Sequence, residues 1–297
     1  MSPAAEITHF VLDTDIGTDV DDILAIAVIL GSPELQLDAV TTVYGDVALR
    51  ARMVARTLRI ASHPIRPIIP GRAETRSGRP VWWPGHEGAL MAALDAEPFD
   101  ETGDAIGTLA NARSVAAIGP LTNIAESVER GGHQTQAITM MSGEFVDGII
   151  EHNIRCDVTA ADVVFRSHVP ITVVGLDQTQ KVRLRSDVLD EIRSSGEFGE
   201  LLAAEMVQFW QFTSESSNVP HDPVAILTMT SPELFQFTQG TVSVMASGPR
   251  EGLTTFEPGA NGPHRIVTNL DASPVAEAIV SRILRATRAP VTPQPTQ

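Results

Sequence analysis

The chain has 297 residues, 43% of them hydrophobic and 20% charged, the composition of a globular protein long enough to bury a sizeable core. Its formal net charge of −16 argues against phosphate-backbone or anionic-membrane partners, which need basic patches. A lone cysteine, Cys156, rules out an intrachain disulfide, and no apolar run approaches the ~20 residues needed to cross a bilayer. The start, Met1 to Glu6, lacks the basic and apolar parts of a secretion signal, so the expected location is the cytoplasm.

The first predicted element is a buried strand, His9-Phe10-Val11-Leu12, and a buried helix is expected over Ile23 to Leu30. Between them runs Asp13-Thr14-Asp15-Ile16-Gly17-Thr18-Asp19-Val20-Asp21-Asp22, with five carboxylates in ten residues. A turn at the carboxyl end of a strand is where open α/β sheets place their ligands. A helix N-terminus relieves the repulsion of one or two acids, but not of five. A cation is the usual remedy, and oxygen-only donors select a hard one, Ca²⁺ or Mg²⁺. The alternative is a capped helix whose acids are merely solvated.

Leu37 to Val43 reads as a second strand, ending in Tyr44-Gly45-Asp46, and Ala48 to Ala61 has helical spacing. This βαβ start implies a parallel sheet. Pro64 to Pro80 reads as a loop around a short strand at Pro67-Ile68-Ile69. Trp82 and Trp83 follow, then Gly85-His86-Glu87-Gly88. The tryptophans could stack on a base, or form a hydrophobic clasp or an oligomer contact.

Ser114 to Gly119 is a strand, and Asn123 with Glu126 fits a capping box for the helix after it. Ala137 to Gly143 and Ile171 to Asp177 are further strands, separated by Glu151-His152-Asn153-Ile154-Arg155-Cys156-Asp157. Ser186 to Phe212 reads as two helices broken near Gly196 and Gly199. Pro220-His221-Asp222-Pro223 opens an apolar helix, Val224 to Met229, which Asp222 could cap. Phe235 to Asp271 reads as short antiparallel strands at one edge, and Ser273 caps a closing helix to Ala286. The expected fold is α/β, an open and mostly parallel sheet flanked by helices with an antiparallel edge. It forms one domain over 1–288, with a disordered tail at 289–297.

The acid stretch resembles the Asp-x-Asp-Pro-Gly-x-Asp-Asp signature of the inosine–uridine-preferring nucleoside hydrolases. Gly119-Pro120-Leu121-Thr122-Asn123-Ile124-Ala125, Glu151-x-Asn153, Val174-Gly175-Leu176-Asp177 and His221-Asp222-Pro223 extend the resemblance over most of residues 8–285. It implies a Ca²⁺-dependent N-ribosyl hydrolase that cleaves a ribonucleoside to ribose and free base. By the same resemblance, Asp15 is a metal ligand and the water-activating base. Asp22, Asp222 and the Ile118 carbonyl complete the metal set, and Asp21, Asp46, Glu151 and Asn153 meet the ribose. His86 lies beside the substrate and His221 faces the leaving base; Trp83 is placed at the substrate by its capacity to stack on a base, not by the resemblance. Either Asp19, Asp21 or Asp22 could be the second metal ligand.

The chain departs from the family pattern in places. Ile16 stands for Pro, Val20-Asp21 is an insertion, Asp46 stands for Asn, His152 replaces an aromatic residue, and the loop Glu144 to Ile150 is short. The expected partners are a small ribonucleoside and further copies of the chain, as a homodimer or homotetramer. Two alternatives remain open at this stage. One is a Ca²⁺-binding module that has lost catalysis. The other is a haloacid-dehalogenase-like phosphatase, to which Asp13-x-Asp15 also fits; Gly17 and a single lysine, Lys181, speak against it.

Overall fold

The computed structural model describes residues 7–288 apart from 65, 132–134 and 136; the expected tail lies outside the described residues. In chain order the elements are β1 (Thr8–Thr14), α1 (Asp21–Leu30), β2 (Leu35–Thr42), α2 (Val47–Ile60), β3 (Ile68–Pro70), α3 (Ala105–Asn111), β4 (Ser114–Ala117) and α4 (Thr122–Arg130). Then come β5 (Ala137–Met141), α5 (His152–Cys156), α6 (Val158–Phe165), β6 (Ile171–Val174), α7 (Leu176–Thr179), β7 (Leu184–Arg185), α8 (Ser186–Arg193) and α9 (Glu197–Thr213). The chain closes with β8 (Ser217–Asn218), α10 (His221–Thr230), β9 (Phe235–Val244), β10 (Thr254–Pro258), β11 (His264–Leu270) and α11 (Ala272–Thr287).

The main sheet has the order β10-β9-β11-β6-β5-β4-β1-β2-β3. Pairing is parallel from β3 across to β11, and antiparallel where β9 joins β11 and β10. The expected mostly parallel sheet with an antiparallel edge is what forms. The chain first walks outward from β1 to β3, then returns to β4 on the other side of β1. That reversal opens a crevice at the carboxyl ends of β1 and β4, the position where doubly wound sheets bind ligands.

Alternate strand residues feed two cores, one on each face of the sheet. Phe10, Leu12, Val40 and Ala116 face the layer that holds α1, α2, α10 and α11. Val11, Ala39, Val115 and Ala117 face α4 and α6. Helix α1 is buried along nearly its whole length because it lies between the sheet and α10 and α11. A helix in that position must be apolar all round, which is why its sequence shows little amphipathic contrast.

Three local expectations are corrected. Asn123 is not a cap: α4 begins at Thr122 after Leu121, with no side-chain cap bond. Instead the Asn123 amide donates to Asp13 Oδ1 at 2.8 Å and to the Thr42 carbonyl at 3.1 Å, and its Oδ1 accepts from Arg72 N at 2.8 Å. It stitches together the ends of β1 and β2 and the chain after β3, a long-range task that local spacing does not reveal. Glu126, the other half of the expected box, pairs with Arg72. Ser273 is also not a cap, because α11 starts at Ala272 after Asp271. Gly196, at φ +124°, does separate α8 from α9, but Gly199 lies inside α9. A Cβ on Gly199 would sit 2.0 Å from the Ile192 carbonyl, so its absence lets the two helices touch.

On α9, Glu205 is buried, and among the described residues its Oε1 has no hydrogen-bond partner. Burial pushes its carboxyl from 4.5 up to about 7. A folded value above the unfolded one means that ionisation opposes folding. Stability from this position is therefore full below pH 4.5 and is lost as pH rises through 7. Glu205→Gln is expected to raise stability at pH 8 by about 2–3 kcal/mol and to change it little at pH 4.5. Urea unfolding at both pH values measures this; an equal effect at the two would remove burial as the cause.

Candidate active site

The acid turn leaves the carboxyl end of β1 and enters the first turn of α1 with Asp21 and Asp22. Asp222 arrives from the first turn of α10, which packs against α1. Two helix N-termini thus converge, and their free amides and dipoles tolerate negative charge. One carboxylate oxygen each from Asp21, Asp22 and Asp222 lies within 4.8 Å of the others, and all three residues are buried. Asp22 also accepts a hydrogen bond from the Thr14 hydroxyl.

Burial drives the carboxyls of Asp21, Asp22 and Asp222 well above the usual range, and their mutual repulsion adds to it. Burial also raises Asp15, while the Arg50 guanidinium pulls it back. Asp13 is fully buried and pushed up to about 7; its Oδ1 accepts from Thr41 and Asn123, which ties it to the turn's support. Asp19 accepts from the Val20 amide at 2.6 Å and stands at the edge of the cluster.

Asp15, Asp19, Asp21, Asp22 and Asp222 floor a cavity of about 370 Å³. Its other lining includes Ile118, Glu151, Asn153, His152, Arg155 and His221. Glu151 caps α5, accepting from the amides of Gly143, Asn153 and Ile154. The Asn153 amide nitrogen donates to the carbonyls of Ile118 and Met141, both at 3.2 Å, which leaves its Oδ1 to meet a hydroxyl. His221 Nδ1 and Thr179 Oγ1 are 2.7 Å apart. Burial, with Arg183 nearby, pushes the His221 imidazole down to about 4, so it is neutral at pH 7. His152 is pushed down to about 4 for the same reason, helped by Arg155.

The wall opposite the acids is apolar: Trp82, Leu176, Ile149, Phe209 and Phe212. Trp82, Phe212 and Ile149 are 46–49% exposed, a large apolar rim for a soluble protein. Trp82 makes ring contacts with His152 at 5.5 Å and with Phe212 at 6.4 Å. A flat apolar wall facing an acidic floor suits a ligand with a ring at one end and hydroxyls at the other.

Three predicted site residues fall elsewhere. Asp46 is exposed and caps α2 by accepting from the Leu49 amide at 2.9 Å; it does not line the cavity. Trp83 does not line it either: it lies over the Arg50 guanidinium at 4.9 Å, and Trp82 takes the place expected of it. His86 sits one layer back, its Nε2 bonded to the Thr18 carbonyl at 2.8 Å and its ring 4.7 Å from Phe212. Phe209, Phe212 and Thr179 also reach the site, and nothing in the local sequence marks them. Aromatic residues three apart on a helix read as ordinary core.

A second, larger groove of about 1120 Å³ runs between α8 and α11. It carries none of the clustered carboxylates, and Lys181, Arg183, Arg285 and Arg288 on its walls already pair with Gln178, Glu215, the Gly31 carbonyl and Glu191.

A sheet that reverses between β1 and β4, with buried carboxylates in the crevice, has the ligand site of a doubly wound α/β protein. The family model for inosine-uridine preferring nucleoside hydrolase matches residues 10–277. The chain is 28% identical to uridine nucleosidase 1 of Arabidopsis thaliana, covering 93% of each protein. It is 30% identical to the non-specific ribonucleoside hydrolase RihC of Salmonella newport, covering 83% of this chain and 86% of that one. Among solved structures, a plant nucleoside hydrolase superposes with a TM-score of 0.81 at 26% identity, covering 95% of this chain and 99% of that one. The chain belongs to the inosine–uridine preferring nucleoside hydrolase family: it is a nucleosidase that hydrolyses N-glycosyl bonds, and its family is metal-dependent. The phosphatase alternative is thereby set aside. Among the described residues, no helix is long and apolar enough to cross a membrane.

Proposed function

We propose that the acidic floor holds one Ca²⁺ through Asp15, Asp22, Asp222 and the Ile118 carbonyl, and that Asp21, Glu151 and Asn153 take the ribose hydroxyls. The clustering of Asp21, Asp22 and Asp222 within 4.8 Å carries this reading. Buried like charges at that spacing need a cation, and an all-oxygen donor set selects a hard one. Bound there, the ion would supply Lewis acidity toward water and the sugar hydroxyls.

The protein's own groups do the rest. Asp15 accepts the proton of the attacking water on its carboxylate. Negative charge beneath the sugar stabilises the oxocarbenium-like transition state. Trp82, Phe209 and Phe212 pack the base and exclude water from it. His221, neutral and bonded through Nδ1 to Thr179, presents Nε2 to the departing base.

Relatives named for uridine and for unselective ribonucleosides support a broad nucleoside substrate class. The test is base release from uridine, inosine and nitrophenyl riboside, with and without His221→Ala. Nitrophenolate leaves without protonation, so His221→Ala should slow uridine and inosine by roughly 10²-fold or more and nitrophenyl riboside by under about tenfold. An equal loss on all three would remove His221 from the leaving-group role. No turnover of any riboside by metal-loaded protein would leave only a binding module.

A further inference from the structure

Arg50 is unassigned by the chemistry above, yet it is the largest fully buried side chain beside the acids, at 0% exposure. It stands in the first turn of α2 and reaches under the acid turn. Its Nη1 donates to the carbonyls of both Asp15 and Ile16, the latter at 2.7 Å. Nη2 donates to Thr18 Oγ1 at 3.2 Å, and Nε to the Tyr44 carbonyl at 2.7 Å. Trp83 covers the guanidinium face. Trp83 can approach because Gly45, at φ +79°, has no Cβ: one would meet the indole at 2.6 Å.

The acid turn between β1 and α1 has little support of its own. Gly17 is at φ +118°, and among the described residues no backbone N–H reaches the Asp15 or Ile16 carbonyl. Buried carbonyls without donors are costly, so these two depend on the Arg50 fork. A buried guanidinium is equally costly without acceptors, and here three carbonyls and a hydroxyl supply them. The arrangement holds the turn and the charge together.

We propose that Arg50 is a positioning residue: by clamping the 15–18 turn through its backbone oxygens, it fixes where Asp15 stands relative to Asp21, Asp22 and Asp222, and so sets the divalent-cation affinity of the site. This rests on the metal reading above. The positioning role and a purely electrostatic role predict opposite signs. As a charge alone, Arg50 competes with a bound cation; removing it would tighten binding, and a lysine there would change nothing. As a clamp, it cannot be replaced by lysine, whose compact ammonium does not span carbonyls on two segments.

The experiment measures Ca²⁺ affinity by calorimetry for the parent, Arg50→Lys and Arg50→Met, with thermal melting of the metal-free forms to verify folding. The expected result is an affinity at least about tenfold weaker in both variants, the scale seen when groups that orient metal ligands are lost. Unchanged or tighter binding in either folded variant overturns the proposal. If neither variant folds, Trp83→Leu removes the cover over the guanidinium and lets water compete for the carbonyls it holds, which loosens the clamp. Weaker Ca²⁺ binding by it supports the clamp, and parental affinity overturns it. A parent that binds no divalent cation at all fails the metal reading itself, which is a separate outcome.

Discussion

Asp222→Ala and Asp15→Ala are each expected to lower riboside hydrolysis by on the order of 10³-fold or more, with the protein still folded. Asp222 is the one clustered acid contributed by α10 rather than by the first strand turn, so it closes the cluster from the far side. Without it, Asp21 and Asp22 form an open pair on a single helix end. Asp15 carries a double load in the proposed chemistry, as ligand and as proton acceptor, so its loss removes two contributions at once. Stability moves the other way in metal-free protein. Burial and mutual repulsion hold these carboxyls far above their ordinary range, so deleting one relieves strain, and the metal-free variants should melt no lower than the metal-free parent. Near-normal rates from Asp222→Ala with metal still bound would defeat the assignment.

Stripping divalent cations from the parent with a chelator is expected to lower its melting temperature, and Ca²⁺ to restore it. A ligand at a thousandfold excess over its dissociation constant adds about 4 kcal/mol to the folded state. For a chain of this size that corresponds to roughly 8 °C. Mg²⁺ in place of Ca²⁺ should restore less, because the smaller ion demands a stricter octahedron and gives up its waters reluctantly. An unchanged melting curve in excess chelator, with no metal by elemental analysis, would contradict a cation at the acidic floor.

The parts of this protein legible in its sequence are those coded locally. The strand, acid turn and buried helix over residues 8–30 can be read because apolar runs frame a charge density that no solvated loop needs. His221-Asp222-Pro223 was legible only beside that cluster, since alone it reads as a helix start. Long-range tasks were not legible. Asn123 looks like a cap until the sheet brings Asp13 and Thr42 to its amide. Trp82 and Trp83 are equivalent in sequence, and a strand-like alternation sends one to the cavity and the other to Arg50. Arg50 did leave a trace: it lies on the stripe with Ala51, Val54 and Leu58, all buried. A cation on the apolar face of a helix is a sign that something buried awaits it.

The cavity draws its two walls from separate parts of the fold. The hydroxyl-facing floor hangs on β1, β4, α1 and α10, all anchored in the central core, where a change in one residue disturbs many neighbours. The ring-facing wall comes from the far end of α9 and the loop carrying Trp82, elements whose rim side chains stand half in solvent. On the proposed binding mode, substitutions at Phe209, Phe212 or Trp82 are therefore expected to change which base fits while the sugar chemistry and the fold remain as they were. On that binding mode the choice of nucleoside and the reaction reside in separate walls, so one can change without the other.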